Sequence, residues 1–187
     1  MRLCDQSAIW LVQTARIMGL CKQAKTLSDR QVVATLAYLE TTRYPLRNAV
    51  ILLLSLKAGL RAKEIAALTW AMITDSEGNP SSSIALPNAA SKGRSGRSIP
   101  INKQLQKAIE QLRPSRSNSP YVITSQRRER TSSAVIVNMF ASWYRDLGFV
   151  GCSSHSGRRT FITKTAGRFR LSEARSGMFR CSPVILP

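Results

Sequence analysis

The stretch "LRNAVILLLSLKAGL" (residues 46–60) constrains the fold more than any other, because it is apolar on nearly every side. A surface helix shows one apolar stripe, whereas a helix that is apolar all round has to be enclosed by other elements. The stretch therefore predicts a central helix wrapped by several others. A chain of 187 residues is long enough for one domain with its own core. Gly59 is expected to end this helix, and "RAKEIAALTW" predicts another helix directly after it.

Further helices are indicated by their capping residues. Ser28, with Gln31 three residues later, forms a capping-box pattern at the start of a helix in "TLSDRQVVATLAYLE". Asn102 is expected to begin a helix in "KQLQKAIEQL". Apolar spacing predicts a modest helix over residues 8–19 and a stronger one over residues 133–147.

The last predicted helix begins near His155 and is capped by Ser153 or Ser154. Short strands are predicted in "MIT", "SSSIALP", "SIPI" and "YVIT", separated by turn and loop residues. The predicted fold class is therefore mixed, mainly α with a small antiparallel β-sheet.

Positive charge is the most unusual feature of the composition. The chain carries 28 Lys+Arg against 10 Asp+Glu, a formal net charge of +18. Residues 92–130 contain ten basic and two acidic residues, and residues 155–180 contain seven basic and one acidic. Such a surface attracts polyanions, of which nucleic acid is the commonest. Each run can also be a solvated surface, and that interpretation stays open here.

Membrane, export and metal-binding signals are weak. No apolar stretch reaches the ~20 residues of a spanning helix, so no membrane partner is expected. The first apolar patch is interrupted by Gln13 and Arg16 and makes a poor export signal. We therefore expect a reduced, cytoplasmic protein without metal or cofactor. The cysteines are far apart and form no CxxC pair, which indicates neither a zinc site nor a disulfide framework: Cys4, Cys21, Cys152 and Cys181.

Phosphodiester chemistry needs cations around the nonbridging oxygens, a proton donor for the leaving oxygen and a nucleophile. Arginine suits the first role because its planar fork binds two oxygens at once. His155 is the single histidine, and Arg158 shares its face at the predicted start of a helix. Such a pair is also common on ordinary surfaces. Arg61 follows a Gly-Leu turn with Glu64 one turn on, and a purely structural ion pair between them is the alternative explanation.

The order of these pieces resembles the tyrosine recombinase (phage integrase) family, specifically its catalytic domain. The family signature is a "GLR..E...L.W" helix junction, a lysine on a strand hairpin and an "H..R.TF.T" helix start. This chain has "AGLRAKEIAALTW", then Lys92 in "SKGRSGRSIPI", then "HSGRRTFIT". The resemblance covers about residues 26–167. It implies the fold of that domain and the family's activity, DNA strand cleavage and rejoining through a phosphotyrosine intermediate.

The resemblance also implies roles for individual residues. Arg61 and Arg158 look like the two catalytic arginines that hold the scissile phosphate, and Lys92 looks like the hairpin lysine that protonates the departing 5′ oxygen. His155 is similar to the histidine that assists proton transfer. Glu64 resembles the acidic residue that holds this set together. The family mechanism uses neither a metal nor a nucleotide cofactor.

Three more arginines are expected to contact the DNA backbone. Arg94 and Arg97 belong to the hairpin segment, and Arg159 stands where the family often has a histidine. Double-stranded DNA is the expected partner, and full-length recombinase protomers are a further candidate partner.

The chain departs from the family after Thr163. The family continues to a "GH" motif and then to its nucleophilic tyrosine, whereas every tyrosine here precedes His155 and no nucleophile is identifiable. The tail lacks helical periodicity, and a shifted reading frame of permitted codons can encode "GGSLRDVQVLAGHSS". We therefore expect that a frameshift near Ala166 replaced the last two helices and left residues 168–187 as a non-family tail. The tyrosines are Tyr38, Tyr44, Tyr121 and Tyr144.

The sequence thus predicts a family member that binds DNA and by itself cleaves little or nothing, because the covalent intermediate needs a nucleophile. The first alternative is a non-enzymatic DNA-binding remnant or a regulator of a full-length recombinase. A basic RNA-binding protein with accidental motif matches is a third class. Residues 1–25 are expected to be an N-terminal extension, either a docking helix or translated upstream sequence.

Overall fold

The computed structural model describes residues 23–87, 96–113, 119–125 and 129–176, with side chains as far as Gly167. These ranges form six α-helices and a two-stranded antiparallel sheet, which confirms the predicted fold class. The elements in chain order are α1 (Asp29–Glu40), α2 (Pro45–Lys57), α3 (Ala62–Ala67), a 3₁₀ turn (Trp70–Met72), β1 (Ser83–Leu86), β2 (Arg97–Pro100), α4 (Lys103–Leu112), α5 (Ser133–Asp146) and α6 (Ser156–Ser176).

Helix α2 is the centre of the molecule, as its all-round apolar sequence predicts. It packs against α1, α3, α4 and α6. Full burial of one aliphatic side chain contributes roughly 1.5–3 kcal/mol, so this helix supplies a large share of the core. Its buried residues are Asn48, Val50, Ile51, Leu52, Leu53, Leu54, Ser55 and Leu56.

The predicted caps of α1 and α4 are confirmed. The Gln31 backbone N–H donates to Ser28 Oγ at 3.3 Å, and the Ser28 N–H donates to Gln31 Oε1 at 3.0 Å. Asn102 Oδ1 accepts from the Gln104 N–H at 2.9 Å at the start of α4. Each cap satisfies backbone donors that the first helical turn leaves unpaired.

The sheet places one face against the core. Ile84 of β1 is paired with Ile99 of β2, and both side chains are buried. Side chains two residues apart on a strand share a face, so Arg97 lies on the same side of the sheet as Ile99. The predicted hairpin is confirmed at its two strands. Its loop, with Lys92 and Arg94, lies outside the described residues.

Helix α3 is shorter than predicted, and the expectation of a helix through Trp70 is wrong. The Trp70 N–H donates to the Pro120 carbonyl at 2.9 Å, and the Val122 N–H donates to the Leu68 carbonyl at 3.0 Å. These bonds to a distant segment hold Leu68 in an extended conformation with ψ 126°. A local helical pattern therefore loses to tertiary pairing after Ala67.

Two predicted strands are also wrong. In place of strands at residues 72–74 and 121–124, the described chain has isolated bridges, Thr74 with Pro80 and Thr69 with Tyr121. A ladder needs several consecutive paired residues, and neither segment has a continuous partner.

The last helix begins close to His155, as the sequence predicts, but its predicted cap is wrong. It begins at Ser156, so His155 precedes it, and the His155 carbonyl accepts the first helical bond, from the Arg159 N–H at 3.0 Å. Neither Ser153 nor Ser154 is therefore its cap. Helical backbone continues to Ser176, although the sequence of the tail lacks helical periodicity, and the proposed frameshift stays a prediction.

The helix predicted over residues 8–19 lies outside the described residues. Within the described ranges, no helix combines the length and the apolar character that crossing a membrane requires.

Candidate functional site

The junction between α2 and α3 places Arg61 and Glu64. Gly59 has a φ of +63°, a conformation that glycine adopts without the penalty paid by other residues, and it ends α2. The Leu60 N–H then donates back to the Leu54 carbonyl at 3.1 Å. Arg61 is extended, with φ −81° and ψ 156°, and α3 starts directly after it. The turn therefore fixes where Arg61 leaves the core.

Glu64 is a buried carboxylate that accepts three hydrogen bonds. Its side chain is 2% exposed. Glu64 Oε2 accepts from the Arg61 backbone N–H at 2.8 Å and from Arg97 Nη2 at 3.0 Å. Glu64 Oε1 accepts from Arg61 Nη1 at 3.4 Å. A buried carboxylate is tolerated because these donors replace its lost water.

Arg158 extends the same cluster from the first turn of α6. Its Nη1 donates to the carbonyl oxygen of Gly59, which is the residue that ends α2. Burial, the largest cause, and the positive charges of Arg61 and Arg97 lower the pKa of the Arg158 guanidinium, while Glu64 acts in the opposite direction. These four charged side chains therefore interact electrostatically. We call them the guanidinium cluster: Arg61, Glu64, Arg97 and Arg158.

The two motif segments interlock through small residues. A Cβ added at Gly59 would lie 2.5 Å from Cδ1 of Phe161, so the aromatic ring of α6 packs directly on that turn. A Cβ added at Gly157 would lie 2.4 Å from Ser55 Oγ of α2. The backbones of α6 and α2 approach closely only because these positions are glycine. This close approach holds the start of α6, which carries Arg158, against the turn that precedes Arg61.

His155 lines a cavity beside the cluster. The side chain is exposed, and the cavity of about 370 Å³ opens between α3, the start of α5 and the loop before α6. Its lining includes both Arg61 and Glu64, whereas Arg158 reaches the cluster from the Gly59 side. The lining residues among those described are Arg61, Ala62, Lys63, Glu64, Ser133, Val137, Ser154 and His155.

Arg97 contacts Glu64, a partner that the sequence analysis missed. The signal was present, because Arg97 precedes the core residue Ile99 by two positions and so lies on the inward face of β2. Arg159 is turned elsewhere, and its Nη1 donates to the Ala24 carbonyl at 2.6 Å. DNA contact by Arg97 and Arg159 stays a prediction.

Comparison with known proteins gives a family and a fold. The model of the phage integrase family matches residues 25–167. No curated protein matches the chain at a significant level.

Three solved structures illustrate the likeness of fold. The chain is similar to XerA recombinase, with 18% identity, a TM-score of 0.63, and coverage of 79% of this chain and 52% of the other. It is similar to the Tn1549 transposon integrase in complex with a circular intermediate DNA, with 17% identity, a TM-score of 0.63, and coverage of 79% and 55%. It is similar to a lambda integrase dimer bound to a COC′ core site, with 17% identity, a TM-score of 0.63, and coverage of 87% and 47%. The chain thus spans about half the length of the solved structures it matches.

Proposed function

The chain belongs to the phage integrase family, and from this premise we propose that its guanidinium cluster holds a backbone phosphate of duplex DNA in site-specific recombination. The Tn1549 and lambda integrases of the matched structures are bound to DNA. That likeness supports duplex DNA as the partner of this chain, and its net charge of +18 supports a polyanionic partner in general.

One observation carries the proposal: the buried carboxylate of Glu64 pairs with Arg61 and Arg97, and the guanidinium of Arg158 interacts electrostatically with all three. Glu64 balances only one of the positive charges of Arg61, Arg97 and Arg158, so the cluster keeps an excess of two. A purely structural role accounts for the ion pairs of Arg61 and Arg97 with Glu64, but it leaves two positive charges of the cluster unbalanced. A phosphate diester supplies an anion with two nonbridging oxygens, which suits the planar fork of arginine.

We assign the roles within the cluster as follows. Arg61 and Arg158 bind the nonbridging oxygens and stabilise the charge that develops at phosphorus. Glu64 orients Arg61 through its two contacts with that residue. His155, on the wall of the adjacent cavity, assists proton transfer. Lys92 protonates the leaving 5′ oxygen, a role that rests on the family resemblance.

The tyrosines of the chain are engaged elsewhere. Tyr144 is buried in the core, and burial raises the pKa of its hydroxyl. The Tyr38 hydroxyl donates to Asp146 Oδ2 at 2.6 Å. The Arg47 guanidinium lies 4.4 Å from the Tyr44 ring centroid. Tyr121 has a similar neighbour in Arg130, at 5.4 Å.

We therefore propose that the 187-residue chain, taken by itself, binds DNA without forming a phosphotyrosine bond. A second protomer that carries a tyrosine would complete the site in trans. The lambda integrase of the matched structure is a dimer, which supports protomers of a recombinase as partners. The same observations favour one further candidate function, a DNA-binding regulator that occupies sites without any strand cleavage.

A nicked duplex that traps covalent intermediates tests these proposals. Incubated alone, the chain should give no denaturant-resistant protein–DNA adduct, yet it should bind duplex in preference to structured RNA with a steep salt dependence. An adduct formed by the chain alone would overturn the proposed lack of cleavage. Failure to bind duplex would overturn the proposed function as a whole.

A complementation experiment separates the enzymatic from the regulatory function. The chain is mixed with a homologue that keeps its tyrosine but lacks its own second catalytic arginine. An adduct that appears only in the mixture, and that is lost with Arg158→Ala but not with the exposed control Arg145→Ala, supports a shared active site. Absence of the adduct despite duplex binding favours the regulator.

A further inference from the structure

The segment that leads into α1 runs across the start of α6. We call residues 23–28 the strap. The Lys25 N–H donates to the Gly151 carbonyl at 2.9 Å. Gly151 has a φ of +84°, and a Cβ there would lie 2.9 Å from Cε of Lys25. The loop before α6 is therefore shaped to let the strap pass close to its backbone.

The strap also contacts the first turns of α6 itself. Arg159 Nη1 donates to the Ala24 carbonyl at 2.6 Å, and the Leu27 N–H donates to Thr160 Oγ1 at 2.7 Å. The Leu27 side chain is 3% exposed and belongs to the core. The strap is thus anchored in the core by Leu27, and the Arg159 side chain of α6 binds its backbone at Ala24.

These contacts bracket the residues proposed to act on the phosphate. In the sequence, His155 and Arg158 lie between the two residues that bind the strap backbone. Gly151 accepts from the Lys25 N–H, and Arg159 donates to the Ala24 carbonyl. Successive residues of a helix are about 100° apart around its axis. Arg158 accordingly reaches the α2–α3 turn while Arg159 reaches the strap, so the first turn of α6 is held from two directions.

We infer that Arg159 is a positioning residue: it ties α6 to the strap and thereby fixes the direction in which Arg158 approaches the phosphate. This role rests on the proposed function. On this inference Arg159 acts through Arg158, which replaces the direct DNA contact that the sequence predicts for it.

Hydrogen exchange tests the tie without DNA. In Arg159→Met the chain keeps a long side chain without donors, and the amides of Lys25 and Leu27 should exchange about tenfold faster, because the loss of one hydrogen bond releases the strap. Arg159→Lys keeps a donor and should restore most of the protection. The Leu147 amide, bonded to the Trp143 carbonyl in α5, serves as the internal control. Unchanged exchange at Lys25 and Leu27 would overturn the tie.

A double-mutant cycle on duplex affinity tests the positioning role. Arg159→Met should weaken binding several-fold in the unchanged chain and have little effect in the Arg158→Ala background, because its action passes through Arg158. Arg159→Lys should recover most of the affinity. A direct phosphate contact would instead give the same loss in both backgrounds and reduce the salt slope by about one in each.

The outcomes distinguish the two proposals. Absence of duplex binding by the unchanged chain overturns the proposed function, while the exchange experiment still reports on the strap. Duplex binding that Arg159→Met leaves unaltered, or weakens equally with and without Arg158, overturns the positioning role alone.

Discussion

Replacing Gly59 by alanine should destabilise the protein more than the conformation of this residue alone explains. Gly59 has a φ of +63°, and a Cβ there would lie 2.5 Å from Cδ1 of Phe161, closer than side chains tolerate. The alanine therefore strains its own backbone and also displaces the aromatic ring of α6. Gly148 is the matched control, because its φ is +68° and nothing lies within 4 Å of its added Cβ.

The magnitude follows from these two contributions. A left-handed non-glycine residue costs roughly 1–2 kcal/mol, which is the whole effect expected for Gly148→Ala. Forcing extra volume against a packed ring costs about 1–3 kcal/mol more, so Gly59→Ala should lose about 2–5 kcal/mol. At this chain length each kcal/mol lowers Tm by roughly 2–4 °C.

Urea and thermal unfolding of both variants give the comparison directly. In a Phe161→Ala background the added methyl group has room, and the excess loss at Gly59 should disappear while the strain remains. Gly59→Ala should also weaken duplex binding, because Phe161 shares the start of α6 with Arg158. Equal stability losses for Gly59→Ala and Gly148→Ala would refute the packing argument.

Three other substitutions probe neighbouring contacts. Glu64→Gln removes the charge that two guanidinium groups contact, so it should lower the free energy of unfolding, measured in urea, by about 1–3 kcal/mol. The control Glu110→Gln, at an exposed position, should be nearly neutral. Equal losses in the two variants would contradict the buried ion pairs. Gly157→Ala places Cβ 2.4 Å from a hydroxyl oxygen of α2 and should cost about 1–3 kcal/mol, whereas Gly167→Ala, with open space around it, should be neutral or stabilising by up to about 1 kcal/mol. A hydrogen bond to the Asp146 carboxylate raises the pKa of the Tyr38 hydroxyl. Tyr38→Phe removes this bond and should lower the free energy of unfolding by less than about 1 kcal/mol. The full difference between the two proteins should be measured below pH ~10, and it should vanish as the pH rises through the raised pKa. A loss that persists unchanged at the highest pH would contradict the bond.

Local rules predicted the elements whose ends depend on nearby residues. The capping box at Ser28 and the cap at Asn102 need only neighbours within three residues, and the end of α2 needs only Gly59. The end of α3 depended on bonds from Trp70 and Val122 to the opposite segment, which no local pattern contains. The end of α3 was therefore predicted wrongly because hydrogen bonds to a distant segment, and not local residues, determine it.

The candidate site likewise contains contacts that nearby residues predict and contacts that depend on distant segments. The motifs predicted that Arg61 and Glu64 would be neighbours, since they are one helical turn apart. Arg97 became the second partner of Glu64 through the register of β2, which brings it beside α3 from 33 residues away. The turn of Arg159 toward Ala24 depended on the path of the strap, 135 residues earlier in the chain. The spacing to Ile99 predicts the side of the sheet on which Arg97 lies, whereas its pairing with Glu64 and the contact of Arg159 with Ala24 have no local sequence signal.

The most direct test of the account is the coupling between Arg61 and Arg158 in duplex binding. Affinity is measured over a salt series for Arg61→Ala, Arg158→Ala, the double variant and the exposed control Arg145→Ala. If both guanidinium groups hold one phosphate, each single variant lowers the salt slope by about one, and the double variant loses less affinity than the sum of the two. Strictly additive losses, or affinities and slopes equal to those of the control, would contradict the convergence of the two arginines on one phosphate.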